Sequence, residues 1–511
     1  MRHLQAFLFG ALAAHFGTLQ AQPYFQRTCG GFVQDDAFAV LGTPDNGLIV
    51  GGSTGSFVFG TNAADIYLTK YDREGNLLWS QHYNGGVVSY ALDMANSSSL
   101  GTVVAGSLNG LQAVLLKIDS SGGSVWAQVA PLKRYTSVSV TPDDTVFAVG
   151  YSLTSNSDIQ LDKFDGNGGL IWSKRFGTGY ADEVGGVAWT SDGGAIIAGN
   201  TLVGGPETDG LLMKVDASGA LQWSRTYGLT TGYQKFNDVC TASSGGYLAV
   251  GDNYYSSSYT FAVRVDDAGD TLWTRRFDPE QGYFTTVEEV PEGFLVSGSL
   301  DGAYANPTVL LLSGTGEVLW QSTFRSSMFM AGSMGSHARL ADGSVALMCT
   351  AVNSGPGSRD FWIAVMDEHG LGVPCDLDTT VLQPVSTIWQ LGTAGSDLGA
   401  GSVGLTGIGA FTAASLIETL CGIVGVEEKT ATGPTISYDA QTGSVTVRGA
   451  APGQFLHVHD ALGRSLGSWT LLTNNLEVPL GYHAPGLLCA SILNAEGQAV
   501  ASTKVIVGMI R

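Results

Sequence analysis

The residues in this 511-residue chain that are equipped for chemistry are few and scattered. His457 and His459 stand two apart, a spacing that puts two imidazoles on one face of a strand and suits a metal. A solvent-facing strand produces the same pair by simple alternation. His82 neighbours a tryptophan-bearing strand, and His337 and His369 stand alone. Asp182/Glu183 and Asp278/Glu280 are of the right type to act as acid and base on a glycosidic bond. Adjacent acids on a loop are more often solvated surface charge. Gly332-Ser333-Met334-Gly335-Ser336 carries part of a nucleophile-elbow pattern, with the wrong spacing and no strand-to-helix turn. No phosphate-cradling loop opens a helix. The six cysteines, Cys29, Cys240, Cys349, Cys375, Cys421 and Cys489, contain no Cys-x-x-Cys, which speaks against structural zinc. This inventory assigns no catalytic residue, no metal and no cofactor.

The elements that would have to position such residues are far better defined. Trp79, Trp126, Trp172, Trp223, Trp273 and Trp320 recur at spacings of 47, 46, 51, 50 and 47 residues. Each sits in one phrase: an apolar run ending in Asp (Ser313 in the sixth copy), a Gly-containing turn, then a strand bearing the Trp. A seventh copy, Phe361–Gly370, stops before its Trp. Around residues 184–228 the phrase expands into four short apolar runs bounded by Gly, Asp and Ser, each too short for a helix. Four-stranded units at this period predict a β-propeller. Phe25-Gln26-Arg27-Thr28-Cys29-Gly30 reads like Trp223-Ser224-Arg225-Thr226-Tyr227-Gly228, so the chain opens on a fourth strand that the last repeat lacks. The expectation is all-β: seven blades over residues 22–374, closed by the N-terminal strand and leaving no bare sheet edge. The six Trp are read as wedges between blades. The repeated Asp72, Asp119, Asp165, Asp216, Asp266 and Asp367 are read as turn-formers, and Asp65, Asp158, Asp209 and Asp360 open third strands in the same structural role.

Composition agrees. Charged residues are only 14% and glycines number 71, as a buried β core with many tight turns requires. The net charge is −21, and the last 78 residues contribute nothing to it, so the excess lies in the propeller and the segment after it. Such a surface repels phosphates, which argues against nucleic acid and anionic lipid. Residues 1–21 read as a secretory signal cleaved after Ala21, and no other segment is apolar enough for a transmembrane span. In an exported protein disulfides can form; Cys375–Cys421 is one pairing, and Cys29 with Cys375 or Cys349 is another.

Residues 375–433 break the repeat and read as irregular β or linker. From Thr435 a new alternation of short strands predicts a small C-terminal β-sandwich over 434–511. Within it, Val458-His459-Asp460-Ala461-Leu462-Gly463-Arg464, Pro485-Gly486-Leu487-Leu488-Cys489-Ala490 and Lys504-Val505-Ile506-Val507 resemble the C-terminal sorting domain of type IX secretion substrates of Bacteroidota. The opening Pro-Asn-Pro of that family is absent, and Leu488 stands where its tyrosine would be. The resemblance implies export by the type IX machinery to the medium or the outer-membrane surface. The propeller phrase is similarly like a bacterial seven-bladed repeat family that precedes such domains and has no single activity.

Short turns join strands one to two and three to four, so every long connection falls on one face, where a rigid scaffold ordinarily carries function. That face is expected to hold Phe57, Phe59, Lys133, Arg134, Tyr135, Tyr180 and residues 328–330. Its tyrosines, Tyr233, Tyr254, Tyr255, Tyr259, Tyr283 and Tyr304, are the candidate binding residues, for Tyr and Ser together make adaptable contact surface. The leading expectation is a secreted or surface binding or adhesion propeller for a glycan or a protein. The alternatives are a carbohydrate-active enzyme using the loop carboxylates and a structural surface component.

Overall fold

The computed structural model describes residues 24–372 except for parts of the connections, of which 326–334 is the longest, then short strands within 377–422 and much of 435–507. The described elements are all strands. Residues 35–84, 89–131, 133–177, 182–228, 234–277 and 282–324 form blades 1 to 6, each four strands in chain order. Blade 7 takes three strands from residues 336–366 and its fourth from Phe25–Gly30, which pairs antiparallel with Arg359–Met366. The architecture is a seven-bladed β-propeller closed by its N-terminal strand.

The burial pattern explains the strand sequences. Each blade is sandwiched between two neighbours, so its middle strands bury both faces: Leu48–Thr54 and Thr102–Leu108 are buried throughout. They therefore read as continuous apolar runs rather than alternating ones. Apolar clusters fill the seven inter-blade spaces. At ~2 kcal/mol per large buried side chain, these interfaces dominate the stability of the ring.

The repeated phrase builds a socket between blades. The carboxylate of Asp119 accepts from the amides of Ser121 and Gly123, and Asp165 and Asp216 repeat this at their own turns. The turn places Gly122 at φ +82°, a left-handed conformation that glycine adopts without strain. A side chain there would also strike the ring of Trp79 from the blade before, 3.3 Å from the position of its Cβ. The indole completes the contact by donating from Nε1 to Ser120 O at 3.0 Å. Trp126, Trp172, Trp223 and Trp273 donate in the same way to Gly166, Ala217, Asp267 and Gly314. At the closure Phe25 takes the place of Trp, its ring lying against Gly75 (φ +76°) of blade 1. Phe25 has no N–H to give; Arg27 donates to Glu74 O instead.

A second repeat, in strand three, links turns to strands. Lys70 and Lys214 reach Asp45 and Asp192 of the first turn in their own blades, at 2.5 and 2.7 Å, and Lys117 reaches Asp144 of the next blade at 3.5 Å.

Residues 377–422, expected as irregular β or linker, contribute six short strands. Leu377–Asp378, Val385–Ser386, Gln390–Gly392, Ser396–Gly399, Gly409–Thr412 and Leu416–Gly422 pair antiparallel with the outermost strands of blades 6, 5, 4, 3, 1 and 7 in turn. These six described strands form a belt that follows the ring in the sense opposite to the blades. Among the described residues blade 2 stays four-stranded. Its outer strand, Ser124–Pro131, ends in proline where Gly177, Gly228, Asn84 and Gly30 meet the belt. A proline has no N–H for a fifth strand and is tolerated only at an edge.

Two further antiparallel sheets form the small C-terminal sandwich. Thr435–Asp439, Ser444–Arg448 and Asn475–Pro479 make one; Ser465–Thr470, Phe455–Asp460, Gly486–Leu493 and Ala499–Val507 make the other. Val445, Val447 and Val478 are buried in the first, and Leu456, Val458 and Ile492 in the second. Cys240 and Cys349 are free and buried, so Cys29 and Cys349 are not paired, and the buried Cys29 Sγ lies 3.9 Å from Tyr67 Oη. Cys29 packs in the interface between blades 7 and 1, whereas Cys349 packs in the one between blades 6 and 7. Cys375 lies outside the described residues.

Candidate binding surface

Two places could receive a ligand: the central channel and the face of long connections. The innermost strand of every blade carries two residues to a channel cavity of about 290 Å³. In blades 1 to 6 the ladder between the first two strands shifts register there, as between Ala37 and Ala39 or Phe236 and Asp238. A bulge of this kind turns an extra residue toward the axis. Phe38, Leu92 and Asn237 occupy such positions.

The polar groups of the channel are spent on neighbouring blades. Asp93 of blade 2 accepts from Ser137 Oγ and Val138 N of blade 3, at 2.8 and 2.9 Å, and from Met94 N. Ser137 Oγ in turn accepts from Val187 N of blade 4. Asp238 accepts from Val239 N and, across the next interface, from Val287 N at 2.8 Å. Asn237 donates to Asp252 and to Phe284 O, and Glu288 accepts from Arg339 N. Burial pushes the Asp238 carboxyl up to about 8, with the nearby Asp93 adding to the rise, and burial raises Glu288 to about 7. His337 occupies an innermost-strand position in blade 7, bonded through Nδ1 to Ser297 and Thr286, and burial lowers it to about 3. These groups clamp blade to blade and leave a ligand little to bind. Among the described residues no three His, Cys, Asp or Glu side chains gather as a metal would require.

Of the candidate tyrosines, Tyr233, Tyr259 and Tyr283 are among the described residues. Tyr259 is a correction: it opens the third strand of blade 5 at 2% exposure, packed among core residues with the Arg276 guanidinium 4.0 Å from its ring centre. The first residue of a strand already stands between two neighbouring blades. Tyr233 is half-buried, its N–H donating to Asn253 Oδ1, and Tyr283 is half-buried on the innermost strand of blade 6. Tyr254, Tyr255 and Tyr304 lie outside the described residues, as do Phe59, Asp278, Glu280 and residues 328–330. Lys133 and Tyr135 are also buried, both bonded to the buried Asp162, which accepts further from Gln160 and Ser173. Phe57 packs on Tyr67, and Arg134 lies over Tyr151. Asp182 is buried and holds the loop before it through Thr178 N, while Glu183 is exposed. His82 is bonded to Asp65, and His457 to Ser468.

Among the described residues the long-connection face also exposes several apolar side chains. Phe32 is 80% exposed and Val33 lies beside it, between blades 7 and 1. Leu111 and Leu132 project from blades 2 and 3, and Tyr180 from the connection into blade 4. The connections that carry them are tied together: Leu132 N donates to Leu111 O at 2.9 Å, Leu153 N to Leu132 O at 2.8 Å, and Ser358 N to Val33 O at 2.9 Å. Leu132 itself is held at φ +57° and is 62% exposed. A left-handed leucine costs ~1–2 kcal/mol, and such strain gathers where a surface is used. Tyr180 was expected on this face, whereas Leu111 and Leu132 were passed over because a leucine between two strands looks like strand. The available signal was Pro131-Leu132, which breaks the alternation at a blade junction.

No family model matches the sequence, and no curated protein matches it. Solved propeller structures are similar in fold. A protein of unknown function from Dyadobacter fermentans aligns at 10% identity over 66% of this chain and 97% of its own, with a TM-score of 0.43. The periplasmic gluconolactonase PpgL of Pseudomonas aeruginosa aligns at 12% identity over 70% and 99%, with a TM-score of 0.37. PorZ, an essential bacterial surface component of the type IX secretion system of Porphyromonas gingivalis, aligns at 10% identity over 94% and 100%, with a TM-score of 0.15. At these identities and TM-scores the likenesses carry no argument about this chain. Among the described residues no helix is long and apolar enough to cross a membrane.

Proposed function

We propose that this is a secreted or cell-surface binding propeller whose long-connection face captures a protein, exported through its C-terminal domain by a type IX machinery. The observation that carries the reading is the exposed Phe32, Leu111, Leu132 and Tyr180 on connections hydrogen-bonded to one another. Rigid apolar groups bind without a large ordering cost, and aliphatic side chains match a protein surface better than a glycan. The acidic balance of the chain favours a partner that is neutral or basic. Export rests on the sequence resemblance of residues 434–511. The enzyme reading gains nothing from Asp182, whose carboxylate is engaged by its own loop.

The test is to present the purified chain to outer-surface protein extracts and to a glycan array, beside Phe32→Ser, Leu132→Asp and Tyr254→Ala/Tyr255→Ala variants. Saturable protein binding lost in the first two variants supports the reading. Glycan binding lost only in the tyrosine variant would replace it. Deleting residues 434–511 in a type IX-competent host is expected to leave the protein in the periplasm.

A further inference from the structure

The ring is closed by a strand that no turn connects to its sheet. Phe25–Gly30 joins blade 7 by pairing, over five residues, with Arg359–Met366, and its Phe25 ring lies against Gly75 of blade 1. An outermost strand with one neighbour frays readily, and its free edge invites pairing with another chain. Here the other edge is covered. Leu416–Gly422, the last strand of the belt, pairs with all six residues of Phe25–Gly30, with a register shift between Gln26 and Arg27, while the other belt strands engage two to four residues each. The described strands before it pair with blades 6, 5, 4, 3 and 1 in turn, so the last strand seats on a ring already in place.

We infer that Leu416–Gly422 latches the propeller by holding the closing strand from outside. The belt thus belongs to the ring and not to the sandwich that follows, and the ring stays latched when everything after the belt is removed.

Hydrogen exchange read by mass spectrometry on the full chain tests the latch. An Ile417→Pro/Thr419→Pro variant disrupts the last belt strand. Amides of Phe25–Gly30 are expected to exchange at least tenfold faster than in the parent, with Leu48–Thr54 unchanged. Unaltered protection of the closing strand overturns the inference, and so does an equal loss in both strands. Should that variant fail to fold, the register is tested directly. In an Arg27→Cys/Thr419→Cys chain, mild oxidation is expected to yield the cross-linked peptide, because those two residues face each other across the strands; its absence overturns the placement. Cleavage of the folded chain at a protease site introduced after residue 425 is expected to leave exchange in Phe25–Gly30 unchanged. A tenfold rise there overturns the claim that the latch survives removal of the sandwich.

Discussion

The channel and the long-connection face are both central to the ring, yet they treat their side chains in opposite ways. In the channel, Asp93, Ser137, Asn237 and Asp238 are polar and each forms a hydrogen bond to an adjoining blade. On the face, Phe32, Leu111, Leu132 and Tyr180 are largely apolar and uncovered. Buried polar groups used as clamps give stability and leave a ligand few free bonds. Apolar groups left in water on fixed backbone stabilise nothing and are available to a partner. A cavity on the axis is therefore not the better candidate site merely because it is the more enclosed.

Mutation of the clamps should show the largest effects. Asp93→Ala strands the amides of Val138 and Met94 and is expected to cost roughly 3 kcal/mol in urea unfolding, without altering the binding face. A loss of binding as large as the loss of stability would erase the distinction between the two regions. Next comes pH. With Asp238 at about 8 and Glu288 at about 7, the folded ring holds protons that the unfolded chain has released above the ordinary carboxylate range. Stability therefore falls as pH rises toward 8. His337, at about 3, acts oppositely but only below the ordinary histidine range, so the fall is clearest between pH 6.5 and 8.5. Thermal melts across that window should show it, and Asp238→Asn should flatten it.

On the face the expected signs reverse. Leu132→Gly relieves the positive φ and is expected to raise stability by about 0.5–1 kcal/mol while weakening partner binding. A destabilised Leu132→Gly would mean that the leucine packs rather than presents. Phe32→Ser is expected to change stability by less than about 0.5 kcal/mol and to reduce binding at least tenfold, measured by surface immobilisation against the captured partner.

Much of the fold was legible because it repeats. The Trp spacing, the turn aspartates and the match of Phe25–Gly30 to Trp223–Gly228 place seven blades and their closing strand. The belt was not legible. Its strands are two to seven residues long, and an edge strand is held by backbone bonds that any side chain permits. The site was legible only as a face. Tyr259 and Lys133 belong to the strand ends and are buried, while Leu132 and Phe32, which carry no chemical signature, are exposed.

Local sequence alone determined the blade: four short strands, an Asp-led turn with glycine at positive φ, and one large ring per repeat. Those choices depend on backbone conformation and on periodicity, and both are written residue by residue. The tertiary structure decided which glycine receives which ring, that Phe25 serves as the seventh, that the belt strands follow the blades in reverse order, and which loop residues stay in water. Each of these depends on contacts between residues far apart in the chain, and only closure of the ring brings them together.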